Sequence, residues 1–196
     1  NVCPLYEMMR RSHIYGGTTS APIIFAVTGI ENALYDIAGK ALGVPTYQLL
    51  GGKFRQKIRL YADCHAGDSN EPQAYADKAL EVSAAGFSAV KFDVDRTGIG
   101  KLDPYNWTVG AKEMTHILSL VQAVREAIGY EVDLAIDCHG QFDLPSAITL
   151  ARELEPLRLL WLEDPVPFEN VDALAQVRAS TSTVICTGEN HYTRFQ

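Results

Sequence analysis

Several things are scarce in this chain of 196 residues, and each scarcity excludes something. Cys3, Cys64, Cys138 and Cys186 are too few and too scattered for a disulfide framework, and no CxxC pair marks a zinc ribbon or redox motif. Three of them sit in short apolar runs (YADC, AIDC, VICTG), where cysteine behaves as a small core residue, so a reducing cytoplasm is the expected setting. No apolar run reaches ~18 residues without charge, so neither a transmembrane helix nor a membrane partner is expected. The opening residues, NVCPLYEMMRR, lack the n-region and h-region of a signal peptide. Positive charge is short as well. Lys and Arg number 17 against 24 Asp and Glu, for a net charge of −7, which argues against a nucleic-acid partner. No GxGxxG or GxxxxGK[ST] follows a strand, so a phosphate cradle is not expected. With 47% hydrophobic and 21% charged residues, the chain is too apolar to be disordered.

What is present is a rhythm. Residues 1 to about 20 read as irregular, with a loop at YGGTTS (15–20). Pro22 then suits a first helical position, and Ile23, Val27, Ile30, Leu34, Ile37 and Ala41 recur on one helical face. Gly43 and Pro45 stop that helix, and TYQLLGG adds a short helical turn. From residue 57, five apolar strands are expected: 58–63, 89–94, 133–137, 159–164 and 183–189. Four helices alternate with them. Their starts are marked by Pro72, by residue 109, by Pro145 and by the Asn170 cap, and a long loop runs over 95–107. Continuous apolar strands joined by helices imply a parallel sheet covered by helices.

The polar residues choose between a doubly wound sheet and a barrel. Asp63, Asp93, Asp137, Glu163-Asp164 and Glu189 each close a strand. Catalytic groups from the ends of several strands converge in a (β/α)8 barrel, whereas a doubly wound sheet gathers its site at one switch point. Asp137 to Glu163 and Glu163 to Glu189 are both 26 residues apart, one strand–helix unit each. Three carboxylates at equivalent positions on adjacent strands would repel one another. A hard divalent cation with oxygen ligands removes the repulsion, and Mg²⁺ suits that role. The competing explanation is that each acid pairs with its own Lys or Arg.

Lys91 points to the same face as Asp93, where it could clamp a substrate carboxylate or stabilise an oxyanion; its bland alternative is a Lys paired with one of the acids. His139, two residues past Asp137, could act as general acid or base, against the alternative of an exposed loop histidine. His191 stands in the same relation to Glu189. His65 reads as structural or rim-lining, and Trp161 as packing.

With these residues in view, the chain resembles the enolase superfamily, mandelate racemase subgroup, and within it the galactonate-type acid-sugar dehydratases. IENALYDIAGKALGVPTYQLLGG resembles the helical segment where a capping domain meets the barrel. AVKFD resembles the second-strand Lys motif, and AIDCHG, WLEDP and TGEN resemble the next three strand ends. The resemblance implies an α/β fold: a partial (β/α)-barrel of the enolase type with five strands, preceded by the helical remnant of an α+β capping domain. The implied division is 1–52 for the capping part and 53–196 for the first five barrel units. Asp137, Glu163 and Glu189 would bind Mg²⁺, Lys91 would contact the substrate carboxylate, and His139 would protonate the departing hydroxyl. Asp93, Asn190 and His191 would line the substrate side.

The implied reaction abstracts the proton α to a carboxylate and expels the β-hydroxyl, leaving a 2-keto-3-deoxy sugar acid. The family's KxK motif reads Lys91-Phe92-Asp93 here, which argues against two-base racemisation. An epimerase or cycloisomerase, or an inactive binding protein on the same scaffold, are the alternatives. Five strands cannot close an eight-stranded barrel, so the 196 residues are expected to be part of a longer chain with its α-proton base beyond Gln196. A homo-oligomer is expected by family analogy.

Overall fold

A computed structural model of the chain describes residues 1–11, 21–94 and 107–192. The loops expected at 15–20 and 95–107 lie outside these residues, save Trp107. The described residues fall into two compact units. One comprises residues 1–58 with the segment that starts at Glu189, and the other is Arg59–Gly188.

The first unit is helical: α1 (Val2–Arg11), α2 (Ala21–Leu42) and α3 (Thr46–Leu49). α1 corrects the expectation of an irregular start. Glu7 pairs with Arg10 at 2.8 Å and Arg11 at 3.0 Å, one helical turn away, and such i,i+3 and i,i+4 pairs support a helix. α2 begins and ends where Pro22 and Gly43 predict. Its apolar stripe is not uniformly buried, however. Ile24 and Val27 are buried, whereas Ile30 and Ile37 are exposed. The helix packs on α1 and α3. No helix among the described residues is long and apolar enough to cross a membrane.

The second unit alternates strands and helices: β1 (Ala62–Asp63), α4 (Pro72–Ala84), β2 (Ala89–Asp93), α5 (Ala111–Ile128), β3 (Asp133–Asp137), α6 (Leu144–Glu153), β4 (Trp161–Glu163), α7 (Val171–Ser180) and β5 (Ile185–Cys186). The strands pair in chain order, and every pairing is parallel. Five parallel strands paired in chain order and joined by helices are compatible with part of a (β/α) barrel. Local chemistry sets the helix starts. Asp143 accepts the Ser146 N–H at 2.9 Å and caps α6, and Asn170 accepts the Ala173 N–H at 3.0 Å and caps α7.

The expectation of continuous apolar strands needs correction. Along each strand the residues alternate, because successive side chains point to opposite faces. Val90, Phe92, Leu134, Ile136 and Leu162 form one face and pack against Ile117, Leu120, Val121, Val124, Leu150 and Val177 of the helices. Lys91, Asp93, Asp137 and Glu163 occupy the other parity. β2 looks uniformly buried only because both of its faces are covered. Strands β1 and β5 are shorter than their apolar runs, since only two residues of each are paired.

Candidate active site

Register places the polar residues. Asp93 pairs with Asp137, and Asp137 with Glu163, so three carboxylates form one row across β2, β3 and β4. Lys91 stands one row below, opposite Ala135. Its long side chain rises to the acids: Nζ donates to Asp137 Oδ2 at 2.5 Å and to Glu163 Oε2 at 3.0 Å. Asp137 and Glu163 therefore share one ammonium rather than holding a separate cation each. Cys186 is the residue opposite Glu163, and Glu189 lies three positions beyond it. Equal sequence spacing is therefore not equal register here. Glu189, Asn190 and His191 belong with the first unit. There Asn190 Nδ2 is 3.5 Å from Glu189 Oε1, and Tyr192 donates to Asn190 Oδ1 at 3.1 Å.

Charge and burial act against each other at the acids. Burial pushes the Asp137 carboxyl up, but the Lys91 ammonium and the His139 backbone N–H, 3.0 Å from Oδ1, outweigh it and hold the group below the ordinary carboxylate range. Burial would lower the Lys91 ammonium, yet its bonds to Asp137 and Glu163 raise it, so it stays protonated throughout the working pH range. Burial and then the charges of Glu163 and Asp164 push the Cys186 thiol up, which keeps it from being a thiolate nucleophile.

The turn after β3 holds His139. Its φ of 48° is left-handed, a conformation that costs a residue with a Cβ about 1–2 kcal/mol. Gly140 follows at φ 66°, and a Cβ there would meet Pro167 Cα at 3.2 Å. The Gly140 N–H donates to Asp164 O at 2.7 Å, tying this turn to the end of β4. His139 is thereby suspended over the row, with Nε2 3.8 Å from Asp137 Oδ2 and Nδ1 3.9 Å from Asp93 Oδ2. Strain at a functional turn is a common pattern.

Two further groups were not assigned to the site by sequence reasoning. His65 Nε2 lies 3.1 Å from Asp63 Oδ1 and 3.2 Å from Asp93 Oδ2, which joins β1 to the row. Trp161 Nε1 donates to Glu163 Oε2 at 2.8 Å. Parity was the available signal: Trp161 and Glu163 are two residues apart on one strand and share a face.

The donor set fits a divalent cation. With the histidines neutral, Asp93, Asp137 and Glu163 carry three negative charges against the single positive charge of Lys91. Asp93, Asp137 and His139 bring one ligand atom each within 4.8 Å of one another. Carboxylate oxygens are the ligands that hard divalent ions prefer.

Residues 74–196 match the family described as enolase C-terminal domain-like, and residues 2–51 match the N-terminal domain of mandelate racemase / muconate lactonizing enzyme. The chain belongs to the mandelate racemase/muconate lactonizing enzyme family. Its relatives include a D-xylonate dehydratase of Haloferax volcanii, 44% identical over 192 residues, or 97% of this chain and 47% of that protein. A D-galactonate dehydratase of Xanthomonas oryzae is 36% identical, covering 98% of this chain and 47% of that protein. Among solved structures, a mandelate racemase/muconate lactonizing enzyme-like protein from Rubrobacter xylanophilus is 49% identical with a TM-score of 0.92, over 99% of this chain and 53% of that one. The chain spans about half the length of the curated relatives it matches. Family members named as acid-sugar dehydratases agree with the resemblance carried by AVKFD, AIDCHG, WLEDP and TGEN.

Proposed function

We propose that this chain serves the Mg²⁺-dependent dehydration of a sugar acid. The carrying observation is the carboxylate row, in which Asp137 and Glu163 share one ammonium, with His139 above it. Asp137 and Glu163 would hold the ion, with Glu189 as the third ligand by its place after β5. When bound, Mg²⁺ supplies a Lewis acid that favours negative charge on the substrate carboxylate. Lys91, held protonated, binds the same carboxylate and favours transfer of the α-proton to a general base of the full-length protein. His139, exposed enough to meet a ligand, donates a proton to the β-hydroxyl as it leaves, so that the product is a 2-keto-3-deoxy acid. Asp93, Asn190 and His191 line the substrate side. Asp93 where racemases carry a second Lys supports dehydration over two-base inversion. Residues 1–52 are assigned to a capping part and 53–196 to barrel units. A cytoplasmic setting and a homo-oligomer belong to the same proposal, by family analogy.

The test incubates the full-length protein with a panel of aldonates and aldarates, D-xylonate, D-gluconate and D-galactonate among them, and measures 2-keto acid with semicarbazide. Product that EDTA abolishes and Mg²⁺ restores is expected. Product formation indifferent to EDTA overturns the metal's role. Inversion and deuterium uptake in heavy water without loss of water overturns dehydration. His139→Asn should lose dehydration yet still exchange the α-proton; a normal dehydration rate removes His139 from its role.

A further inference from the structure

We infer that Trp161 is a positioning residue for the candidate metal ligand Glu163, braced by Tyr61. Four side chains close a ring on the polar face of the sheet. Trp161 Nε1 donates to Glu163 Oε2 at 2.8 Å, and Lys91 Nζ donates to the same oxygen at 3.0 Å. The Tyr61 ring meets Trp161 edge-on, with centroids 5.5 Å apart and planes at 79°. Lys91 Nζ lies 5.9 Å from the Tyr61 centroid, which completes the circuit. Each member touches two others, so none can swing without breaking a contact. The edge-to-face pair is a favoured aromatic arrangement, and it holds the indole at the angle its N–H needs.

The chemistry of the donor matters. A Glu side chain has three rotatable bonds, and a ligand that must be ordered on binding weakens the site. Two donors already in place remove that freedom. The indole N–H is a neutral, donor-only group. It therefore orients the carboxylate without cancelling the negative charge that a cation requires, which a second Lys or Arg would do. Both hydrogen bonds fall on Oε2. A cation can take Oε1 with neither bond broken. Partners that orient metal ligands in this way typically change affinity by 10- to 100-fold.

The inference rests on Glu163 being a metal ligand, and the experiment separates the two. Calorimetric titration with Mn²⁺ compares the full-length protein with its Trp161→Phe variant, which keeps an aromatic ring against Tyr61 and removes the N–H. The expected result is binding about 10-fold weaker in the variant. In parallel, the protein is labelled with ¹⁵N in its indoles, and the Trp161 resonance is identified by its loss in the variant. That resonance should shift on adding Mg²⁺ and should not shift in Glu163→Gln. No binding by the unaltered protein overturns the metal reading, and the inference with it. Binding by the unaltered protein with equal affinity in Trp161→Phe overturns the inference alone. Should the variant fail to fold, the indole resonance decides: assigned instead by its nuclear Overhauser contacts to the Tyr61 ring, a resonance indifferent to bound Mg²⁺ overturns the inference.

Discussion

Replacing Lys91 by Met tests the electrostatic reading of the carboxylate row. Lys91 is 9% exposed, Asp137 1%, and the ammonium bonds two carboxylates at once. Removing one partner from a buried pair costs about 3–5 kcal/mol, because the remaining charge is left without compensation. Glu163 retains some solvent and its Trp161 bond, which favours the lower end, about 3 kcal/mol. For a chain of this length that corresponds to a melting temperature lower by about 10 °C.

The pH dependence has a definite sign. Asp137 is lowered in the fold, so its stabilisation is present above the ordinary unfolded carboxyl value of about 3.9 and fades as pH falls through the lower folded value. Lys91 is raised, so its contribution is full below about 10.4 and fades only as pH climbs through the higher folded value. The deficit of Lys91→Met should therefore be greatest from about pH 5 to pH 10 and shrink in acid, where the orphaned carboxyls take up protons. Thermal melts followed by circular dichroism across that range read it directly. Mg²⁺ at millimolar concentration should restore part of the loss. A deficit under 1 °C, or one that does not shrink as pH falls from 5 to 2, would refute the reasoning.

Three other perturbations follow from the packing. Gly140→Ala places a Cβ at positive φ and 3.2 Å from Pro167 Cα, so urea unfolding should show a loss of about 2 kcal/mol, whereas Gly110→Ala, with open space around it, should lose less. Arg125 is buried and donates to four main-chain carbonyls, those of Gly129, Val132, Leu157 and Arg158, which joins the entries of β3 and β4; Arg125→Met should cost about 3 kcal/mol in calorimetry and Arg125→Lys somewhat less, since an ammonium lacks the planar fork. Asp143→Ala removes the α6 cap and should cost about 1 kcal/mol near neutral pH. Burial pushes the Asp143 carboxyl up, but Ser146 and Thr108 hold it down, so that cost should vanish as pH falls through its low folded value, which melts of the two proteins in acid would show.

The sequence by itself determined a great deal. Pro22, Gly43, Pro72, Pro145 and Asn170 mark helix boundaries because their effects are local: a fixed φ, a left-handed turn or a side-chain cap acts within one helical turn. The order of strands and helices followed from apolar runs, and the charged residue closing each strand pointed to a rim. Asp137 and Glu163 were legible as neighbours because one strand–helix unit separates them. α1 is supported by ion pairs of Glu7 with Arg10 and Arg11 one helical turn on, a pattern of charge that apolar runs do not show.

Only the tertiary structure decided the rest. Strand parity separated Lys91 and Asp93, on the polar face, from Val90 and Phe92, in the core. Register put Cys186 rather than Glu189 opposite Glu163, since the number of residues in a helix and its loops does not set where the next strand pairs. That Lys91 reaches two acids, that His65 joins Asp63 to Asp93, and that Trp161 holds Glu163 all depend on side chains meeting across separate strands. Such meetings require distances of a few ångströms between residues dozens of positions apart. Only the pairing of the sheet supplies them.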